Sequence, residues 1–185
     1  MTFGTILTYM KNPFIGTPED PFHMSVGVVL LNEKNEVIVH KYDLESNEAL
    51  RSTIKRSVGV SERIQFYSIM TETPEDGETL METAERGLIE EFGASGDFMH
   101  YLGTTVGTFK RFGSDILIEK AAPFFLYKMT SLDESKRDPN SMESKSEIVA
   151  VEMDALINIL EKQDEAIHRT DLVYAPIIER AKKLL

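Results

Sequence analysis

Gly77-Glu78-Thr79-Leu80-Met81-Glu82-Thr83-Ala84-Glu85-Arg86-Gly87-Leu88-Ile89-Glu90-Glu91-Phe92-Gly93 is the stretch on which the fold turns. Thr79 and Glu82 have capping-box spacing, in which each side chain can satisfy the other residue's free backbone amide. Leu80, Ala84, Leu88 and Phe92 recur on one helical face, and Met81 widens that stripe. Gly93 is placed to end the helix in a left-handed cap. A helix is therefore predicted over Thr79 to Phe92. At ~100° per residue, Glu91 falls beside Leu80 and Ala84 on the apolar side. Glu90 sits on the flank, and Gly87 projects between the two glutamates.

Working outward, His23 to Leu31 is rich in valine and leucine and reads as a buried strand. After the turn at Asn32-Glu33-Lys34-Asn35, Val37 to Tyr42 alternates as a second strand, so a hairpin is predicted. Leu50, Ile54 and Val58 suggest a short helix within Leu44 to Arg63, and Ile64 to Met70 reads as a third strand. Beyond Gly93, strands are expected at Tyr101 to Phe109, Ile116 to Met129 and Ile148 to Met153. The charged stretch Asp133 to Lys145 reads as a loop. Helices close the chain near Asp154 to Ile167 and Pro176 to Leu184. Strands, one helix, more strands and then helices is an α+β order, not a regular βαβ winding.

Composition narrows the function classes. A chain of 185 residues is the size of one domain, and residues 1–185 are read as one. There are no cysteines, which excludes disulfides, thiolate metal sites and a cysteine nucleophile. With 20 basic and 31 acidic residues the net charge is −11, which disfavours nucleic acid and anionic membrane as partners. No apolar run approaches the ~20 residues that span a bilayer, and the N-terminus lacks the pattern of a signal peptide. A cytoplasmic protein is expected.

A buried carboxylate at Glu91 is costly unless something offsets it. Two adjacent carboxylates at the edge of a core invite a cation, and a cluster of oxygen ligands suits Mg²⁺ or Mn²⁺, which also bind substrate phosphates. Here the sequence resembles the Nudix hydrolase family. The family box runs glycine, five residues, glutamate, seven residues, then Arg-Glu-aliphatic-any-Glu-Glu-any-Gly-aliphatic. Glu78, Arg86, Leu88, Glu90, Glu91 and Gly93 match in register, with Ala94 at the last position. Two positions depart: Glu72 stands where the first glycine belongs, and Gly87 stands where the glutamate after arginine belongs.

The resemblance implies a Nudix-like α/β/α sandwich, with a mixed sheet between helices. It implies a hydrolase cleaving the diphosphate linkage of a nucleoside diphosphate-X substrate with Mg²⁺ or Mn²⁺, and a homodimer, as family members often are. Glu90 and Glu91 would hold the metal, Arg86 would orient them and pair with Glu78, and a later carboxylate, Glu147 in preference to Glu143, would complete the set. The position at Gly87 could be filled by water or Glu72, Glu85 being discounted because it points away by the helical count, and Gly87→Glu would restore the family carboxylate. Arg51, Lys110 and Arg111 are candidates for phosphate contacts. Phe66, Tyr67, Phe109 and Phe112 could stack on a base, with core packing the commoner role. His23, His40, His100 and His168 lack metal-ligand spacing and are given no role. Because the glutamate after arginine is usually a metal ligand in the family, the alternative is a catalytically impaired Nudix-fold protein that binds a nucleotide or regulates.

Overall fold

The computed structural model describes residues 12–44, 65–110, 115–166 and 173–185. In chain order the described elements are β1 (Phe22–Met24), β2 (Val26–Leu31), β3 (Val37–Asp43), β4 (Gln65–Ser68), β5 (Met70–Glu72) and α1 (Leu80–Gly87), which continues as a wider π turn (Leu88–Phe92). There follow β6 (Ala94–Lys110), β7 (Leu117–Leu132), β8 (Glu147–Val151), α2 (Met153–Ala166) and α3 (Ala175–Lys183). The helix suggested at Leu50, Ile54 and Val58 lies outside the described residues.

The strands form one mixed sheet. β2 runs antiparallel to β3 (Leu31↔Val37) and parallel to β7 (Gly27↔Phe124 through Leu31↔Lys128). The β2–β3 turn is closed by Asn35 at φ 62°, a left-handed conformation that asparagine tolerates. Away from that turn the hairpin opens. β5 lies beside Val26–Val28 where β3 would continue, and β4 lies beside His40–Asp43 where β2 would. The single strand predicted over Ile64 to Met70 is thus two, divided at Ile69, because each half pairs with a different neighbour. β6 pairs with β7 from Ala94↔Leu132 to Lys110↔Leu117, and β8 pairs with the outer side of β3.

Side-chain alternation along the central strands splits the interior into two layers. Val29, Leu31, Val37, Val39, Ala122, Phe124 and Leu126 face α2 and α3, meeting Leu156, Leu160, Ile177 and Ile178. Val26, Val28, Leu30, Ile38, Phe125 and Tyr127 face α1, meeting Ala84, Leu88 and Phe92. Most of these side chains are fully buried, and each contributes ~1.5–3 kcal/mol against exposure. The result is the expected α/β/α sandwich. Phe66 is buried, Tyr67 packs against the α2–α3 layer, and Phe109 meets His23 edge-on, so packing accounts for these three rings. Phe112 lies outside the described residues. No described helix is long and apolar enough to cross a membrane.

Candidate functional site

The site is built on α1. The capping box forms: Thr79 Oγ1 accepts the Glu82 amide at 3.2 Å, and Glu82 Oε2 accepts the Thr79 amide at 2.8 Å. The apolar stripe then fixes the helix against β2, β5 and β7. At the far end Gly93 takes φ 67°, and its carbonyl accepts the Asp133 amide at 2.9 Å. A Cβ on Gly93 would stand 2.1 Å from the Asp133 oxygen, so only glycine fits.

Arg86 binds several acceptors at once. Its Nε donates to Glu78 Oε1 at 2.8 Å, and Nη2 donates to Glu78 Oε2 at 3.0 Å and to the Thr73 carbonyl at 2.9 Å. Nη1 donates to Glu90 Oε2 at 3.1 Å, and Glu72 Oε1 lies 3.5 Å from the same nitrogen. The two-point pair with Arg86 holds the Glu78 carboxyl down to about 2. Glu90 remains 43% exposed beyond this clamp.

Glu91 is turned the other way and is 5% exposed. Its Oε2 lies 2.9 Å from His40 Nε2, and His40 Nδ1 lies 2.7 Å from Ser146 Oγ. His40 is completely buried, with its ring stacked on Phe92 at a centroid separation of 4.2 Å. It reaches Glu91 because it shares the α1 side of β3 with Ile38. Burial pushes the Glu91 carboxyl well above its ordinary range, and the charges of Glu143 and Glu72 push the same way. Burial, with Arg137 nearby, lowers His40 to about 3. Both shifts favour uncharged partners. Ser146 Oγ donates to the Glu143 carbonyl at 2.7 Å, so it accepts from His40 Nδ1–H. His40 Nε2 is then left to accept, which the raised Glu91 carboxyl can meet as the donor when it carries its proton.

The segment from Asp133 to Ser146 closes over this end of the helix. The Asp138 amide donates to the Glu90 carbonyl at 2.9 Å, and Arg137 Nε donates to the Glu91 carbonyl at 2.8 Å. The same guanidinium donates to the Glu143 carbonyl and, at 3.1 Å, to Ser146 Oγ.

The space at Gly87 is taken. A Cβ there would lie 2.8 Å from Met70 Cε and 2.9 Å from Glu72 Cβ, so Gly87→Glu cannot simply slot a carboxylate between Glu90 and Glu91. Glu147 pairs with Lys41 at 3.1 Å. Its strand neighbours Val149 and Val151 pack on the α2–α3 layer, so it leaves the sheet on the side opposite Glu91. Glu143 is the later carboxylate whose charge reaches Glu91. Lys110 ends β6 at the opposite extreme from Ala94, roughly 50 Å along the strand at ~3.3 Å per residue. Arg51 and Arg111 lie outside the described residues. Sequence reasoning gave His40 no role; its place in the α1-facing register of β3, two residues after Ile38, was the available signal.

The site's donors are oxygens: Glu72, Glu90 and Glu91, with Glu143 near. They are held on separate partners, and among the described residues no three His, Asp or Glu side chains are gathered to hold a metal ion. In kind the set fits a hard divalent cation. The Glu72 carboxyl is raised first by burial and further by the charge of Glu90, which a bound cation would offset.

Comparison with known proteins places this arrangement. Residues 21–172 match the NUDIX domain family. No curated protein matches the chain. A solved Nudix hydrolase from Nitrosomonas europaea is similar in fold, at 16% identity and TM-score 0.57, covering 86% of this chain and 88% of its own. A MutT protein from Methanosarcina mazei Go1 shares 15% identity at TM-score 0.49, covering 89% of this chain and 95% of its own. The family match runs from β1 past α2 and encloses the whole Arg86 clamp, and on that extent the chain belongs to the Nudix family.

Proposed function

We propose that the protein is a Nudix hydrolase that cleaves the diphosphate linkage of a nucleoside diphosphate-X compound with Mg²⁺ or Mn²⁺. The observation that carries this reading is the Arg86 clamp, which fixes Glu90 from one side and Glu78 from the other in the family register. Glu90 and Glu91 would hold the cation, with Glu143 as the later carboxylate in place of Glu147. When bound, the cation supplies Lewis-acid polarisation of a phosphate oxygen and activation of water. Glu78 keeps the guanidinium from swinging away, and the guanidinium keeps Glu90 aimed outward. To hold the cation, Glu91 would turn from His40 and give up any proton it carries there. Arg51 and Arg111 are proposed to meet the phosphates. Lys110 is dropped from that role because of its position on β6.

A second reading, a Nudix-fold nucleotide-binding or regulatory protein impaired in turnover, is favoured by the buried Glu91–His40 bond and by glycine at 87. One experiment separates them. Nucleotide sugars, dinucleoside polyphosphates and nucleoside triphosphates are screened with Mg²⁺ or Mn²⁺ for both binding and phosphate release. Release that disappears in Glu91→Gln supports the hydrolase. Binding with no release from any compound refutes it in favour of the module.

A further inference from the structure

Relative to the family pattern, positions 72 and 87 carry each other's residue: glutamate where glycine belongs, glycine where glutamate belongs. The structure brings these two positions into contact. Glu72 ends β5, which lies under α1, and its Cβ would be 2.9 Å from a Cβ built on Gly87. Two side chains cannot both start from that spot. The Glu72 carboxylate is held in place: Oε1 accepts the Thr73 amide at 2.7 Å and lies 3.5 Å from Arg86 Nη1, the nitrogen that donates to Glu90. Glu72 and Glu90 therefore converge on one atom from two elements, with Glu72 24% exposed.

We propose that Glu72 supplies from β5 the metal-facing carboxylate that Gly87 omits from α1, and that residue 87 is glycine because Glu72, with the tip of Met70, fills its space. The inference rests on the divalent-metal reading above and adds a residue to it. In a helix interior glycine costs ~1 kcal/mol against alanine, so helix stability gives no reason for it. Room for the Glu72 and Met70 side chains does. Exchanging both residues together should conserve the donor set, whereas changing one alone removes a carboxylate or crowds two into one place.

The test is calorimetric titration of the full chain with Mn²⁺, alongside melting temperatures in chelator. Glu72→Gln keeps the side-chain volume and the acceptor for Thr73, and should weaken Mn²⁺ binding at least tenfold. Glu85→Gln, on the exposed side of α1, should leave it unchanged. In chelator, Gly87→Glu should melt several degrees lower than wild type. Glu72→Gly/Gly87→Glu should recover part of that loss, the flexible Met70 tip yielding the rest of the space, and bind Mn²⁺ within about threefold of wild type. Mn²⁺ affinity in Glu72→Gln equal to wild type overturns the proposal, as does a double variant no more stable than Gly87→Glu. If wild type binds no Mn²⁺, the metal reading itself fails and the proposal with it. Binding by wild type but not by Glu72→Gln sustains both.

Discussion

Replacing Glu91 with glutamine tests whether the buried carboxyl carries a proton. Glu91 Oε2 lies 2.9 Å from His40 Nε2, where a protonated carboxyl donates, and a glutamine amide can donate along the same line. The folded carboxyl titrates above its ordinary value of 4.5. A raised acid contributes its full stability below the unfolded value and loses it as pH rises towards the folded one. Above pH 4.5 folding must take up a proton, at about 1.4 kcal/mol per pH unit until the folded carboxyl ionises. Glutamine escapes this cost. His40 is lowered to about 3, so it costs stability as pH falls below 6.5. With its neighbour neutral in both proteins, that contribution cancels in the difference. The assay is urea unfolding of wild type and Glu91→Gln in chelator from pH 5 to pH 8. The variant should gain about 1.4 kcal/mol on wild type per pH unit over the lower part of this range, or ~3–5 °C in melting temperature for a chain of this size. A difference that does not vary with pH would refute the protonated pair.

Other outcomes follow from the same contacts. His40→Ala leaves Glu91 and Ser146 short of a partner and removes the ring from Phe92. It should cost about 4 kcal/mol in urea unfolding, from ~1–3 kcal/mol per unsatisfied buried group and ~1 kcal/mol of stacking. Arg86→Ala should raise the Glu78 carboxyl, held at about 2, part of the way to its ordinary value, since the Glu75 amide and Thr83 hydroxyl still donate to it, as read by carbon NMR of the carboxyl. Gly93→Ala forces a Cβ onto the Asp133 oxygen at positive φ and should cost about 3 kcal/mol or more in thermal unfolding. Thr79→Ala removes one side of the capping box and should cost ~1 kcal/mol by the same measurement.

Local patterns were legible in the sequence wherever one element's own chemistry decided the outcome. The capping box, the stripe through Leu80, Ala84, Leu88 and Phe92, and the Gly93 stop need only neighbours along the chain, and the helix lies where they place it. The β2–β3 hairpin is of the same kind. The division of β4 from β5 at Ile69 was not legible, since it depends on β2 and β3 parting. Neither was the first half of β6, where Ala94-Ser95-Gly96-Asp97 has poor strand propensity and is carried by β7 through an irregular register. In the site, the glutamates could be read from helical phase. Their partners could not, because His40 is 51 residues from Glu91 in sequence. The contact between residues 72 and 87 likewise exists only once β5 lies under α1.

The stretch from Asp133 to Ser146 has the composition of a surface connector: charged, with a proline, between a strand and a strand. Such segments ordinarily accept inserted peptides, tags or whole domains. This one does not have that freedom. Its backbone amides and Arg137 hold the carbonyls of Glu90, Glu91 and Gly93, and Ser146 holds His40. A lengthened connector would let go of the helix end that carries both glutamates. The tight turn at Lys34-Asn35, on the β2–β3 hairpin and exposed, is the better place to splice a reporter into this protein.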